Sequence, residues 1–404
     1  MRFLRAYECP VTLLELCPSL RAAARPRFDH RAWPATLRCD EDGRPAVGGC
    51  GLTDLADQFG TACDVIDEAE VRAHAKAYRA ALPHGEIAYS GRALLTPAIA
   101  GWLADEGLSL DVGSPDELGA ALRGGFPASR IIAGGAVKTR EELAAALAAR
   151  VGRISVDTFD ELAWLASRVD RPQQILLRVG LSDELEQAFG FPLSGLAEEA
   201  WLRASRQKHL RVVGLHCHVS SGTHDQAQGA LLEFLDRMRA AHGFVAEQIN
   251  LGGGVSVETA RALAEAAVPR PLPRLVVEPG QGVVGQAGVR LVRVIAKSVG
   301  AHGEPCAHVD GPLPTAGALP RSCPGADLDE CRLVNRHSLA ADVPTRLLSR
   351  PRSEHHCPAE TAVVALPADA RAGDLIAFPG VGAYARDRAV GALVGVRAGT
   401  PTRV

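Results

Sequence analysis

The stretch RIIAGGAVKTREELAAALAARVGRISVDTFDEL, residues 130–162, decides the fold. It opens on Arg130–Ala133, a short apolar run that reads as a buried strand. A Gly-Gly turn follows, and Thr139 stands before REEL as a helix N-cap with Glu142 three residues on. The apolar positions of Arg140–Ala149 then recur at helical spacing. Arg153–Val156 is the next strand, and Asp157 or Thr158 caps another helix at FDEL. The same unit recurs on both sides of this stretch. Strands are expected at Glu86–Tyr89, Leu108–Val112, Gln174–Val179, Leu210–Cys217, Gln248–Leu251 and Arg274–Glu278. Amphipathic segments lie between them at Pro97–Asp105, Pro115–Arg123 (capped by Ser114), Phe159–Val169 and Gln226–Ala241. Eight strand–helix units in succession predict a (β/α)8 barrel over residues 61–298; a doubly wound open sheet seldom keeps that rhythm so long.

Beyond residue 298 the rhythm changes. Thr361–Leu366 and Asp374–Phe378 are short, strand-like and divided by Pro and Gly, with no helices between them. The chain therefore closes on a mostly-β domain over 299–404. The hairpin-like Cys39–Asp54 assigns 27–60 to the same domain. Residues 1–26 read as an arm or an added strand–helix element, and Ala316–Glu330 as a loop.

Composition narrows the function classes. In 404 residues, 47% are hydrophobic and 23% charged, the proportions of a globular protein. The net charge of −3 is not the basic footprint of a nucleic-acid binder. No apolar run approaches the roughly 20 residues of a membrane span. Glu8 and Glu15 interrupt the N-terminal apolar stretch, so it does not read as a secretory signal. The ten cysteines show no CxxC pair or regular spacing, and read as reduced thiols of a cytoplasmic protein. His216-Cys217-His218 and His355-His356-Cys357 look metal-like, but adjacent strand residues point to opposite faces, so no metal site is assigned. Of the 44 basic residues only Lys76, Lys138, Lys208 and Lys297 are lysines. A GC-rich genome accounts for the ratio. Arginine still cannot do a lysine's covalent chemistry, so each lysine's position matters.

In a barrel of this kind chemistry sits at the C-terminal ends of the strands. Gly252-Gly253-Gly254 follows one strand and precedes a helix near Val257, where backbone N–H groups can close around an anion. Glu278-Pro279-Gly280 ends the next strand, and His218 and Ser221 end another. An imidazole, a carboxylate and an anion cradle at one mouth suit a phosphorylated heteroaromatic cofactor.

At this point the chain resembles a known family, the fold-type III pyridoxal-phosphate decarboxylases that act on diaminopimelate, ornithine and arginine. The diaminopimelate branch is the most similar. The resemblance runs from about Leu52 to Arg386. It is carried by YSGRAL (89–94), LDVGSPDEL (110–118), GGAVKTREEL (134–143), VDTFDEL (156–162), LLRVGL (176–181), GLHCHVSSG (214–222), NLGGG (250–254), VVEPG (276–280), HHC (355–357), LPADARAGDLIAF (366–378) and GAY (382–384). It implies an alanine-racemase-like, TIM-type barrel with a C-terminal β domain. It also implies that Gly252, Gly253, Gly254, Ser221, Gly280 and Tyr384 hold a cofactor phosphate. His218 would stack on the pyridine ring and Glu278 would pair with its nitrogen, while Asp111 and Arg178 line the mouth. Cys357 matches the cysteine that family dimers insert from the partner subunit as proton donor, with Ser338 as the other candidate. A homodimer with shared active sites and an amino-acid-like ligand are implied likewise.

The pattern breaks at one decisive place. Where the family has its Schiff-base lysine, this sequence has Arg92, a permanent cation that is no nucleophile toward an aldehyde. The family's EPGR reads EPGQ, with Gln281 in place of a cation, and Pro358 replaces the acidic residue after the cysteine. The segment that grips the substrate carboxylate has no counterpart after Val309-Asp310-Gly311. Three readings follow. A diverged enzyme could hold pyridoxal phosphate non-covalently, or do without it. An inactive pseudoenzyme could serve as a binding or regulatory subunit. A conventional diaminopimelate-type decarboxylase would need a different lysine.

Overall fold

The computed structural model describes residues 28–181, 189–193, 195–219, 222–266, 273–314, 328–349, 361–384 and 391–404. The expected arm at 1–26 and most of the loop at 316–330 lie outside them. So do Ser221 and Cys357.

All eight expected barrel strands are present: β1 (Glu86–Ser90), β2 (Ser109–Val112), β3 (Ile131–Ala133), β4 (Arg153–Val156), β5 (Gln173–Gly180), β6 (Leu210–His216), β7 (Gln248–Asn250) and β8 (Arg274–Val277). Each pairs in parallel with its neighbours, and β8 returns to β1, so the sheet closes. Strand alternation divides the apolar side chains between two cores. Ala88, Ile132, Leu176, Val213 and Val276 form a small cluster of their own, as the interior layer of a barrel does. Their neighbours Ile87, Ile131, Leu177 and Val277 join the large core between sheet and helices. Burying one such aliphatic side chain contributes roughly 1.5–3 kcal/mol.

The helices start where the capping residues stand. Thr139 accepts from the Glu142 N–H at 3.2 Å while Glu142 accepts from the Thr139 N–H at 2.7 Å, a complete capping box. Ser114 caps Pro115–Arg123 through the Glu117 N–H. Of the two candidates before FDEL, Thr158 is the cap, accepting from the Glu161 N–H at 3.1 Å. Asp157 is thereby left free to face the barrel mouth.

The strands that flank the barrel pair with the second sheet. Cys63–Asp67 lies antiparallel to Gly288–Val299 and parallel to Ala392–Arg397. Cys63–Asp67 and all but the last residue of Gly288–Val299 fall inside the 61–298 span expected for the barrel. Val65 and Val289 are apolar and fully buried, and their partners are the strands of the β domain. The small antiparallel sheet of Arg38–Cys39, Pro45–Val47 and Cys50–Gly51 joins this domain too. Trp33, Leu37, Leu52 and Leu55 pack there against Leu375 and Val394. Arg290 and Asp64 form a buried two-point ion pair inside the sheet, both contacts at 2.7 Å. The β domain also reaches the barrel mouth, where the Tyr384 N–H donates to the Ala93 carbonyl at 2.6 Å.

Candidate functional site

The C-terminal ends of β1, β2, β6, β7 and β8 bring one polar cluster together. Arg92, just after β1, donates from Nη2 to Oδ2 of Asp111 on β2 at 3.0 Å. The same Nη2 lies 4.0 Å from Oε2 of Glu278, past the end of β8. Asn250, the last residue of β7, fixes Glu278 by donating Nδ2 to its Oε1 at 2.7 Å. Its other amide atom, Oδ1, accepts from the Gly252 N–H at 2.9 Å. One asparagine thus sets both the carboxylate and the first glycine of the triplet.

That triplet needs its glycines. Gly252 and Gly254 have φ of +71° and +72°, where L side chains are strained. A Cβ on Gly252 would also sit 2.8 Å from the Cys217 carbonyl and from Nδ1 of His218. The Gly253 N–H points to His218 Nδ1 at 3.5 Å. His224 holds the Gly253 carbonyl from beneath at 2.9 Å. Gly280 is crowded as well, since a Cβ there would approach the Ala93 Cβ to 2.9 Å.

Charge in this cluster is far from its ordinary state. Burial, reinforced by Asp111, pushes the Glu278 carboxyl up to about 8. Burial also raises Asp111, against the opposing pull of Arg92. Burial and the cations Arg92 and Arg178 push His218 down to about 4, so its ring is neutral at physiological pH. His216 is lowered in the same direction by burial first and Arg178 next. Its Nδ1 meets Ser155 Oγ at 2.9 Å, and its Nε2 faces Glu278 Oε2 at 3.8 Å. The Oε2 of Glu278, the Oδ1 of Asp111 and the Nε2 of His216 are buried without hydrogen-bond partners. Such atoms are costly unless something completes them.

On the adjoining arc a second network forms. The Lys138 side chain is 5% exposed, and its Nζ lies 3.2 Å from Asp157 Oδ1 and 3.4 Å from Glu161 Oε2. It also donates to the Gly135 carbonyl at 2.8 Å. Arg178 reaches the other oxygen of Asp157 at 3.2 Å. The remaining lysines lie elsewhere. Lys76 is on the helix Glu68–Ala81 near Glu106, Lys208 is exposed before β6, and Lys297 sits on an exposed stretch of the β domain. Lys138 is therefore the one lysine at this mouth.

Of the candidates named from the sequence, the structure brings Arg92, Asp111, Arg178, His218, Gly252, Gly253, Gly254, Glu278 and Gly280 together at this mouth. Gln281 opens the short helix Gln281–Val284 beside Glu278, and Tyr384 arrives from the β domain. Ser338 turns its hydroxyl to Asp369 at 2.7 Å, within the β domain. The sequence offers His216 only as part of a metal-like run and Asp157 only as a helix-cap candidate, and it does not single out Asn250. Asn250 had a legible signal, its place two residues ahead of the glycines. Among the described residues no group of His, Cys, Asp and Glu is arranged to hold a metal ion.

Residues 68–285 match the sequence profile of the pyridoxal-dependent decarboxylase family, pyridoxal binding domain. The chain belongs to this family. The diaminopimelate decarboxylase of Actinosynnema pretiosum subsp. auranticum is 40% identical across 93% of this chain and 91% of its own length. That of Mycobacterium tuberculosis is 32% identical, covering 87% of this chain and 88% of its own. Among solved structures, the M. jannaschii diaminopimelate decarboxylase in complex with L-lysine superposes with a TM-score of 0.77 at 21% identity, covering 92% of this chain and 94% of the other. A protein of Aquifex aeolicus superposes with 0.78 at 22% identity, covering 92% and 95%. At such identities the structural likeness shows the shared barrel and β domain alone.

The mouth of this decarboxylase-family barrel fits pyridoxal phosphate on its own geometry. The unpartnered Oε2 of Glu278 suits a protonated ring nitrogen, and the glycine triplet carries no side chains to fill the space where a phosphate would approach.

Proposed function

We propose that this chain binds pyridoxal phosphate at the barrel mouth and decarboxylates an amino acid of the diaminopimelate class, holding the cofactor by contacts rather than by a lysyl bond. The substrate class rests on relatives 40% and 32% identical over most of the chain. The mode of holding rests on one observation: Arg92 occupies the end of β1, its guanidinium engaged with Asp111 and facing Glu278.

In this reading Gly252, Gly253, Gly254, Gly280, Ser221 and Tyr384 take the phosphate, with Gln281 at its edge. When bound, the cofactor supplies an electron-accepting ring for the electrons released as the carboxylate leaves. Glu278 holds a proton at Oε2 and places it where the ring nitrogen would lie. Asn250 fixes the orientation of that carboxyl, and His218 presents a neutral imidazole to the ring face. Arg92 compensates Asp111, so that two buried carboxyls need not both be protonated. Cys357, brought by a second copy of the chain, returns a proton to the product. The assembly is then a cytoplasmic homodimer.

A second reading is conventional chemistry through a lysyl-linked cofactor, favoured by the same identities to diaminopimelate decarboxylases. It would draw on Lys138, which would have to leave Asp157 and Glu161. One experiment separates the readings. The protein is saturated with pyridoxal phosphate, reduced with borohydride and digested for mass spectrometry, while carbon dioxide release from diaminopimelate is followed in parallel. Saturable binding and turnover without a lysyl adduct support our reading. An adduct on Lys138 overturns it in favour of the second, and neither binding nor turnover identifies an inactive subunit.

A further inference from the structure

We propose that the opposite, N-terminal end of the barrel carries a second anion site that takes a multiply charged, phosphate-bearing small molecule. A cavity of about 750 Å³ opens there, at the starts of β1, β2, β4, β5 and β8, far along the strands from the mouth. Its walls carry five cations, Lys76, Arg79, Arg130, Arg153 and Arg274, against a single carboxylate, Glu86.

The charges do not cancel. Glu86 is shared by two arginines, bonding Arg153 through both oxygens and Arg274 at 2.7 Å. Arg153 also donates to Gln248 at 2.6 Å, so these residues close the barrel floor and have a structural purpose of their own. The rim is different. Arg79 donates to the Glu106 carbonyl at 2.7 Å and Arg130 to the Ala104 carbonyl at 3.2 Å. Both partners are neutral backbone groups at the C-terminal end of the helix Pro97–Asp105. These contacts aim the guanidinium groups without neutralising them. Glu106, outside the lining, is divided between Arg72 at 3.0 Å and Lys76 at 3.8 Å, and Asp105 goes to Arg72. Arg130 is further steadied over the Phe126 ring. Ser109, hydrogen-bonded to Glu86, and Ser129 complete the lining.

Pre-oriented guanidinium forks with spare N–H groups match phosphate geometry, and an excess of more than one positive charge selects a polyvalent anion. The volume admits a small metabolite rather than a lone ion. The lining residues of this cavity are not those of the mouth, so the inference stands apart from the proposed reaction.

The test is calorimetric titration of the full chain with pyrophosphate, at ionic strength held constant with sodium chloride. One saturable site is expected. The Arg79→Ser/Arg130→Ser double variant should weaken binding about tenfold or more, and citrate should bind less tightly than pyrophosphate. Saturable binding that the double variant leaves unchanged would place the anion elsewhere and overturn the proposal, as would heats that never saturate. If circular dichroism shows the double variant unfolded, the exposed charge reversal Lys76→Glu takes its place, with the same weakening expected and the same refutation.

Discussion

Arg92 stays charged at any pH the fold tolerates, and Asp111 raises its proton affinity further. A lysine there would be shorter and able to lose its proton. Arg92→Lys is therefore expected to create a borohydride-trappable bond to pyridoxal phosphate at residue 92, read by peptide mass spectrometry. Absence of that adduct in a folded, cofactor-binding variant would show that the end of β1 does not face the aldehyde. Glu278 gives a prediction in pH. Its carboxyl titrates near 8 in the folded chain against an ordinary 4.5, so the native state binds the proton more tightly than the unfolded one. Stability from this group is whole below pH 4.5, falls as pH rises toward 8, and is level beyond. Glu278→Gln, which keeps the Asn250 contact, should thus raise Tm relative to the parent at pH 8.5 and leave it nearly unchanged at pH 4.5. The proton matters for binding as well. Cofactor affinity should hold up to about pH 8 and then fall about tenfold per unit, a slope that Glu278→Gln removes.

At the scale of elements, the turn after β7 is the most exacting piece of backbone. Gly252→Ala must place a methyl against the Cys217 carbonyl and His218 in a left-handed conformation. A loss of about 1–3 kcal/mol in stability is expected from strain of this kind. The same change should weaken pyridoxal phosphate binding by at least about tenfold, measured by fluorescence titration, because the added methyl displaces the turn proposed to cradle the phosphate. The capping box of Arg140–Ala149 supplies a comparison away from the mouth. Thr139→Ala removes the acceptor for the Glu142 N–H and should cost about 1 kcal/mol in urea denaturation, leaving cofactor affinity unchanged. A shift in affinity would show that the Lys138 network, one residue before this cap, is coupled to the phosphate side.

At the scale of the molecule, the barrel depends on a sheet it does not belong to. Cys63–Asp67 and Gly288–Val299 enter and leave the barrel while pairing with each other in the β domain. Between them Arg290 and Asp64 are buried as an ion pair. Removing one partner strands the other charge, so Arg290→Ala is expected to cost about 3–5 kcal/mol, read from denaturant unfolding. Because these strands bracket the barrel, cofactor binding should be lost in the same transition.

Local physics made much of this protein legible in its sequence. The eight strands follow from apolar runs of strand length, and the helix starts from Ser114, Thr139 and the Asp157-Thr158 pair, because both depend on neighbours close along the chain. The glycine triplet, His218 and Glu278 were legible as strand-end residues for the same reason. The tertiary structure alone decided which strands at 63–67 and 288–299 pair, because their hydrogen bonds join residues more than 220 positions apart. It alone turned Asn250 from a strand residue into the link between Glu278 and Gly252, and brought Lys138 to Asp157 instead of to solvent. It alone gathered the cations of the barrel floor, since Lys76, Arg130, Arg153 and Arg274 share no local pattern and meet only when the sheet closes.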